Sequence, residues 1–356
     1  MLLPTEPIGS IPRPESLLNA FDKLNNGTIS KEEFESHFAQ ITIETIRLFE
    51  ETGSPVISDG EQKKYDSFWT YPIHGLKNLA PDGFSIPFAV GHIRQFPRLV
   101  SGPFRYNTYA NSFLDFSLSH AKVPVKQAVI SASALSLMYP ITGIDSYPQD
   151  QFLEDLVLEN EKDIRLCLEK GAHCVQIDFT EGRLATKIDP TGDLLENFIV
   201  MNNLVLDKFT KEERKKIGIH TCPGGDRDST HSADADYAKL LPSLFELLAD
   251  NFYIQLSSEK DRPYVLRIIK ENRKPHQRIF VGVIDPINSH LETPEEVCQQ
   301  VLEAAKYIPL DRLGTTDDCG FSPFCDDAST TRELAFAKIK SRVLGTEMAS
   351  KILGVS

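Results

Sequence analysis

The sequence predicts an α/β protein built as a single (β/α)8 barrel, the TIM-barrel architecture, spanning residues 1–356. Eight short β-rich segments alternate with longer segments whose apolar residues recur at helical spacing. Two helical segments end at Gly53 and Gly171, and each leads within a few residues into a buried-type strand. No linker, low-complexity tract or internal repeat divides the chain. Such alternation in an undivided chain is typical of one closed parallel barrel.

The strands are predicted, in order, near residues 6–10, 55–59, 125–131, 173–178, 216–221, 252–257, 279–285 and 313–318. The clearest helical patterns lie over residues 31–51, around Leu153 and Cys167, and after Thr293-Pro294. The Thr-Pro pair is a typical helix start, because proline is tolerated in the first turn.

The main departure from this alternation is an insertion over residues 62–124, between the second and third strands. It is rich in aromatic residues, and a segment of this length must carry structure of its own. We expect it to cover one end of the barrel as a lid, a substrate wall or a subunit contact. The last of these would make the protein a homodimer. Packing of the aromatic residues in a small core of the insertion itself is an open alternative.

Composition argues against several classes of partner. Asp and Glu number 51 against 38 Lys and Arg, and the formal net charge of -13 repels a phosphate backbone, so no nucleic acid is expected. We find neither a basic segment followed by an apolar run nor a window of roughly 20 apolar residues. We therefore expect no membrane association and a cytoplasmic location. The six cysteines lack a framework spacing and are interpreted as reduced thiols.

Polar residues follow nearly every predicted strand, at the barrel end where catalytic residues gather. His220 and Cys222 end the fifth strand and have the same parity, so both side chains point to one side of an extended backbone. Cys319 follows the eighth strand. An imidazole and two thiolates form a zinc-ligand set with room for a fourth ligand.

This ligand set indicates a type of reaction. The zinc deaminase pattern requires a Glu two residues after the His and a later PCxxC, and the sequence has neither. Two thiolates neutralise the zinc charge, which makes the ion a poor activator of water but a suitable holder of another thiolate. A thiol with an ordinary pKa of about 8.5 is deprotonated when it coordinates zinc. The expected reaction is therefore alkyl transfer to a substrate sulfur.

Five short motifs carry a family resemblance: LPTEPIGSIPRP, VISDGEQ, VQIDFTEG, IHTC and TTDDCGF. In order and spacing they resemble the catalytic, C-terminal half of cobalamin-independent methionine synthase, within the uroporphyrinogen decarboxylase and methionine synthase superfamily. The resemblance spans nearly the whole chain. It implies a zinc-dependent transfer of a methyl group to homocysteine, which gives methionine.

Carried over position by position, the resemblance makes His220, Cys222 and Cys319 zinc ligands. It assigns the amino-acid carboxylate to Ser10, with Ile8 beside it. It makes Glu61 and Asp178 the acids that bind the substrate ammonium group. Two carboxylates and a hydroxyl at neighbouring strand ends are chemically reasonable as an α-amino-acid clamp.

The sequence also departs from the family. The family's fourth zinc ligand, a glutamate, aligns with Leu256, which leaves the fourth position to Glu259, to water or to the substrate thiol. A histidine expected after the seventh strand is replaced near Ile287, although Asp285 matches. The tryptophan associated with folate stacking is absent after the third strand. The methyl donor is therefore left open among a folate, a methylated corrinoid protein and another alkyl donor.

The loop after Cys222 adds the remaining candidates. Its two glycines permit close backbone approach, and its acids disfavour a phosphate site. Asp226 is predicted to contact substrate, while His231 and Asp285 are candidate catalytic residues.

Two other functions remain open. One is alkyl transfer to a different small thiol, as in the epoxyalkane coenzyme M transferases. The other is a metal-free, decarboxylase-like or corrinoid-binding barrel. It is disfavoured because porphyrin carboxylates usually bind arginines near the barrel mouth, and this chain has mostly acids there.

Overall fold

The computed structural model of the chain describes residues 2–64, 67–88, 91, 93–224, 230–327 and 329–355. The helices are α1 (Glu15–Asn25), α2 (Lys31–Glu51), α3 (Asn111–His120), α4 (Ala132–Ser136), α5 (Gln149–Lys170), α6 (Glu181–Ile188), α7 (Asp193–Leu206), α8 (Lys211–Arg214), α9 (Tyr237–Leu244), α10 (Arg262–Asn272), α11 (Pro294–Ala304) and α12 (Arg332–Ile352). The strands are β1 (Leu79–Ala80), β2 (Ser85–Pro87), β3 (Ile93–Gln95), β4 (Arg98–Leu99), β5 (Gln127–Ile130), β6 (Val175–Asp178), β7 (Ile217–Thr221), β8 (Asn251–Ile254), β9 (Arg278–Gly282) and β10 (Leu313–Thr316).

A parallel sheet in the order β10-β9-β8-β7-β6-β5 forms the centre of the molecule. Its strands coincide with the predicted third to eighth strands. Every residue of β5, β6, β7, β8 and β10 is buried. Helices cover the outer face and side chains fill the interior, so these strands are buried on both faces and show no alternation of buried and exposed residues.

Two extended N-terminal segments close the sheet into the predicted barrel. Thr5 pairs in parallel with Thr315 of β10, and Ile57 pairs in parallel with Val125, just before β5. The amide of Ile11 donates to the carbonyl oxygen of Gly60 at 3.0 Å and joins the two segments. The barrel prediction is confirmed, but its first two members are single bridges and not regular strands. Prolines, which lack the N–H donor that a ladder requires, interrupt both segments.

Local signals explain where the predicted helices begin and end. The α2 helix occupies the predicted residues and starts with a capping box between Ser30 and Glu33. Thr293 and Glu296 form the same box at the start of α11. The α5 helix ends at Gly171, whose φ of 101° suits glycine. Among the described helices, none is long and apolar enough to cross a membrane.

The insertion between the second and third barrel segments contains α3 and two short antiparallel ribbons, β1 with β4 and β2 with β3. Trp69 stacks on Phe96 with ring centroids 4.1 Å apart, so the aromatic residues pack against one another. Phe68 and Phe88 both make T-shaped ring contacts with Phe324, which lies beyond β10. The insertion therefore has internal packing and also covers the C-terminal end of the barrel.

Candidate active site

Two strand ends bring an imidazole and two thiols together. His220 lies on β7, Cys222 directly follows it, and Cys319 comes three residues after β10. One ligand atom from each residue lies within 4.8 Å of the others, and all three residues are buried. The two sulfurs are 2.8 Å apart although 97 positions separate them in the chain. A parallel barrel produces this meeting because all its strands end at one mouth.

The electrostatics of this cluster suit a cation. Both ring nitrogens of His220 are buried, and among the described residues the ring interacts with no polar side chain other than the cluster's own Cys222 and the nearby charged groups. Burial opposes the charged imidazole, but the neighbouring Cys222 outweighs it and raises the pKa of His220. Burial likewise opposes a thiolate at Cys222, yet the hydrogen bond with Cys319 and the charge of His220 lower its pKa well below the usual value. Burial and the Cys222 thiolate raise the pKa of Cys319.

The predicted amino-acid clamp lines the same pocket. Ile8, Ser10, Glu61 and Asp178 face the same pocket as His220, Cys222 and Cys319. All of these side chains come from segments that end at the C-terminal mouth of the barrel. With His231, the structure thus brings together eight of the residues that the sequence singled out.

Backbone contacts hold the hydroxyl of the clamp. Ser10 Oγ accepts a hydrogen bond from the amide of Ser322 at 3.2 Å, which leaves its own proton free to donate. Gly320 is required beside it, since a Cβ there would collide with Ser10 Oγ.

The two carboxylates of the clamp are close enough to influence each other. Burial and the neighbouring Glu61 raise the pKa of Asp178 to about 6, against the opposing charge of Lys64. Gln176 Nε2 donates to Asp178 Oδ1 at 2.7 Å and to the Ile8 carbonyl at 3.2 Å. Glu61 adopts a φ of 56°, which is uncommon for a residue with a side chain and typical of functional sites.

The structure does not bring Glu259 to the two sulfurs as a fourth ligand. Its Oε1 lies 2.7 Å from Arg183 Nη1, and the converging set of ligand atoms does not include it. Arg183 is buried and donates to Gln255 Oε1 as well, so Glu259 neutralises a buried charge.

The remaining predicted site residues are Asp285, His231 and Asp226, and the structure places them differently. Asp285 does not line the pocket, and its Oδ1 accepts the amide of Ile287 at 2.9 Å. His231 lines the pocket, but burial and the charges of Arg183 and Lys187 lower its pKa to about 3. It is therefore a neutral wall residue and a poor proton donor at neutral pH. Asp226 lies outside the described residues.

Two features of the pocket were missed at the level of sequence. The first is Glu181, a buried acid that lines the pocket three residues after Asp178. Its place in the VQIDFTEG motif was the available signal. The second is Arg94, whose guanidinium lies 4.2 Å above the Phe324 ring and pairs with Asp326.

The insertion supplies the pocket's apolar wall. Phe68, Trp69, Phe88 and Phe96 line it, and their role as a substrate wall stays a prediction. A barrel mouth that joins a buried His/Cys/Cys cluster to paired carboxylates under an aromatic cover defines a class of protein. The class is that of barrel enzymes whose active sites lie at the C-terminal ends of the strands.

Comparisons with known proteins place the chain within this class. The catalytic-domain model of the cobalamin-independent synthase family matches residues 3–340, and the chain belongs to this family. It is an enzyme of the methionine synthase type. A methionine synthase from Thermococcus kodakarensis is 25% identical over 99% of this chain and 95% of the relative. One from Sulfurisphaera tokodaii is 24% identical over 99% and 94%.

Solved structures agree at the level of the fold. A B12-independent methionine synthase from Shewanella sp. W3-18-1, in complex with selenomethionine, superposes with a TM-score of 0.76 at 17% identity and covers 100% of both chains. A protein from Listeria monocytogenes described as a putative vitamin-B12 independent methionine synthase gives a TM-score of 0.73 at 20% identity, covering 98% of this chain and 99% of that one.

Proposed function

We propose that this protein transfers a methyl group to the thiol of homocysteine in a zinc-dependent reaction that yields methionine. The observation that carries the proposal is the buried cluster of His220, Cys222 and Cys319 beside an amino-acid clamp. Membership of the cobalamin-independent synthase family and relatives named methionine synthase support the same reaction.

The cluster fits zinc by the chemistry of its donors. Imidazole nitrogen and thiolate sulfur are preferred zinc ligands, and the ring nitrogens of His220 are buried without another partner among the described residues. His220, Cys222 and Cys319 would hold the ion and leave a coordination position open. When bound there, zinc keeps the incoming homocysteine sulfur ionised at neutral pH.

The clamp orients homocysteine so that its sulfur points toward the cluster. Glu61 and Asp178 receive the ammonium group, and its charge favours the ionised form of Asp178, whose pKa is otherwise raised to about 6. The hydroxyl of Ser10 donates to the substrate carboxylate. Phe88, Phe324 and the other rings of the wall exclude water from the region where the methyl group moves.

The methyl donor approaches from the aromatic side of the pocket. We propose a folate or a methylated corrinoid protein as the donor. Transfer to a sulfonate thiol such as coenzyme M fits the clamp less well, because Glu61 and Asp178 would repel the sulfonate and have no ammonium group to bind.

Metal analysis tests the zinc requirement. Protein purified without chelators is expected to contain about one zinc per chain, and Cys222→Ser or Cys319→Ser is expected to lose most of it. Cys298→Ser is the matched control, because Cys298 is buried on α11 and belongs to no converging ligand group among the described residues. Carefully purified wild-type protein that folds but contains no stoichiometric zinc would refute the proposal.

A further inference from the structure

The Glu181 carboxyl is held asymmetrically at the edge of the pocket. It begins α6 and is only 5% exposed. Ser131 Oγ donates to Glu181 Oε1 at 2.5 Å, and Ser133 Oγ donates to the same oxygen. Asn202 Nδ2 in turn donates to Ser133 Oγ at 2.7 Å and fixes that hydroxyl. Oε1 is therefore committed as an acceptor.

The second oxygen has no such support. Oε2 is buried and has no hydrogen-bond partner among the described residues. An ionised carboxylate would leave this charged oxygen desolvated and unpaired, which is costly. Protonation at Oε2 removes the charge and leaves an O–H donor that lacks an acceptor until a ligand supplies one. The asymmetry thus identifies which oxygen holds the proton.

The surroundings of Glu181 favour its neutral form. Burial raises the pKa of Glu181 to about 7, and the hydrogen bonds from Ser131 and Ser133 oppose this only partly. Asp178, at the end of β6, is the nearby ionisable group that adds to the increase. Arg183 lies on the same helix, but its guanidinium forms an ion pair with Glu259.

The other titratable groups of the pocket are already engaged. Glu61 and Asp178 form the clamp, and three residues form the cluster. His231, with a pKa of about 3, is not in its acidic imidazolium form at neutral pH. Among the described acids that line the pocket, Glu181 is the one that keeps a large protonated fraction near pH 7 and has no other assigned role.

We propose that Glu181 is a catalytic acid that protonates the nitrogen losing the methyl group when the donor is an N-methyl compound. This inference rests on the proposed function. As the sulfur–carbon bond forms, the nitrogen–carbon bond breaks, and its electron pair stays on nitrogen, which takes the proton from Oε2. The hydroxyls of Ser131 and Ser133 stabilise the resulting carboxylate, which regains a proton from water.

Transfer of a cobalt-bound methyl group does not require a proton. When it leaves as the sulfur–carbon bond forms, cobalt keeps the electron pair and takes no proton. Methyl transfer from an N-methyl donor therefore requires Glu181, whereas transfer from methylcobalamin does not. The two donors form an internal control for the role of this carboxyl.

The test compares zinc-loaded wild type with Glu181→Gln, using homocysteine with 5-methyltetrahydrofolate or methylcobalamin. Loss of a general acid is expected to lower kcat with the N-methyl donor by about 100-fold or more, and to change the methylcobalamin rate by less than about 3-fold. Wild-type kcat with the N-methyl donor should fall above about pH 7, because the acid must be protonated. The variant should lack this alkaline limb.

Ser133→Ala provides a second variant. It removes a hydrogen bond that stabilises the carboxylate, so the alkaline limb is expected to move to higher pH. A purely structural role for Glu181 would not move a pH profile in this direction. Unchanged turnover of the N-methyl donor by Glu181→Gln, an equal loss with both donors, or a wild type that uses only methylcobalamin would overturn the inference.

Isotope-edited infrared titration tests the proton directly and needs no turnover. A carboxylic acid band that titrates near pH 7 in wild type and is absent from Glu181→Gln is expected. A fully ionised carboxyl at pH 6 would overturn the inference. Zinc content and homocysteine binding do not involve Glu181, so failure of the proposed function would appear in those measurements instead.

Discussion

At the residue scale, Glu259 and Glu181 show how little an acid's position in the sequence says about its role. Glu259 follows a barrel strand and was a reasonable candidate ligand, but Arg183 engages it. Arg183 also lies 4.5 Å from the Tyr237 ring and is almost fully buried. A buried guanidinium without a carboxylate partner destabilises the fold. Glu259 therefore pairs with Arg183 and does not join the cluster.

Glu259→Gln is therefore expected to retain zinc and to lose stability. Zinc content should stay near one per chain, while the free energy of unfolding falls by about 3 kcal/mol because Arg183 loses its counter-charge. Metal analysis and urea unfolding measure the two effects. Loss of zinc from a folded variant would instead make Glu259 a ligand.

The clamp leads to a second residue-scale prediction. Glu61→Gln and Asp178→Asn each remove a charged acceptor for the ammonium group and are expected to weaken homocysteine binding by roughly 10- to 100-fold. Isothermal titration with zinc-loaded protein measures the effect. Asp285→Asn is the control variant, because Asp285 lies outside the pocket lining.

The ligand provides a matching control. A mercaptocarboxylate without the amino group should bind wild type and the Glu61 and Asp178 variants with similar affinity. If the variants lost as much affinity for this analogue as for homocysteine, the two carboxylates would support the structure of the pocket and would not bind the ammonium group.

At the scale of elements, sequence patterns predicted the regular parts well. The α2 helix and strands β5 to β10 follow from apolar periodicity, caps and short buried runs, all of which are local signals. The two N-terminal barrel segments were predicted as strands, yet each pairs with its neighbouring strand segment through a single β-bridge among the described residues. The ribbons of the insertion were not predicted, because two-residue strands such as β1 exist only through pairing with a distant partner such as β4.

Asp163 connects α5 to the insertion and supports a pH-dependent prediction. Its Oδ2 accepts from the Tyr71 hydroxyl at 2.5 Å, and its Oδ1 accepts from the amide of Ala110 at 2.7 Å. Burial raises its pKa from 3.8 to about 6. Because the folded-state pKa is the higher one, the stabilisation is fully present below pH 3.8 and is lost as pH rises through about 6.

The corresponding variant is Asp163→Asn. Between pH 4 and pH 7, ionisation of Asp163 should lower the free energy of unfolding of wild type by about 2 kcal/mol, and the variant should not show this loss. Urea unfolding of both proteins across this interval isolates the effect, since other titrating groups cancel in the difference. Parallel pH profiles for the two proteins would contradict the assigned pKa.

At the scale of the whole molecule, a polar network inside the barrel attaches the N-terminal segment. Lys126 Nζ donates to the Pro7 carbonyl at 2.9 Å, lies 3.5 Å from Glu6 Oε2, and sits 3.2 Å above the Tyr253 ring. Burial would raise the pKa of Glu6, but hydrogen bonds from His173 and Tyr253 and the charge of Lys126 lower it to about 2. The same segment continues to Ser10, so closure of the barrel also positions the clamp.

Lys126→Met is expected to lower the unfolding free energy by about 3–5 kcal/mol at pH 7, since it leaves the Glu6 carboxylate buried without its counter-charge. The double variant Glu6→Gln/Lys126→Met should recover part of that loss. Urea unfolding of both variants measures it. Strictly additive losses would show that the two residues act independently.

The sequence by itself determined the barrel and the meeting of His220, Cys222 and Cys319. Strand spacing, parity and the shared mouth of a parallel barrel do not depend on detailed packing. Only the tertiary structure decided which acids belong to the pocket. Glu259 is engaged by Arg183, Asp285 caps its own loop, and Glu181 is left with one unpaired oxygen. Each outcome depends on burial and on partners far away in the chain, and no local pattern of residues records those contacts.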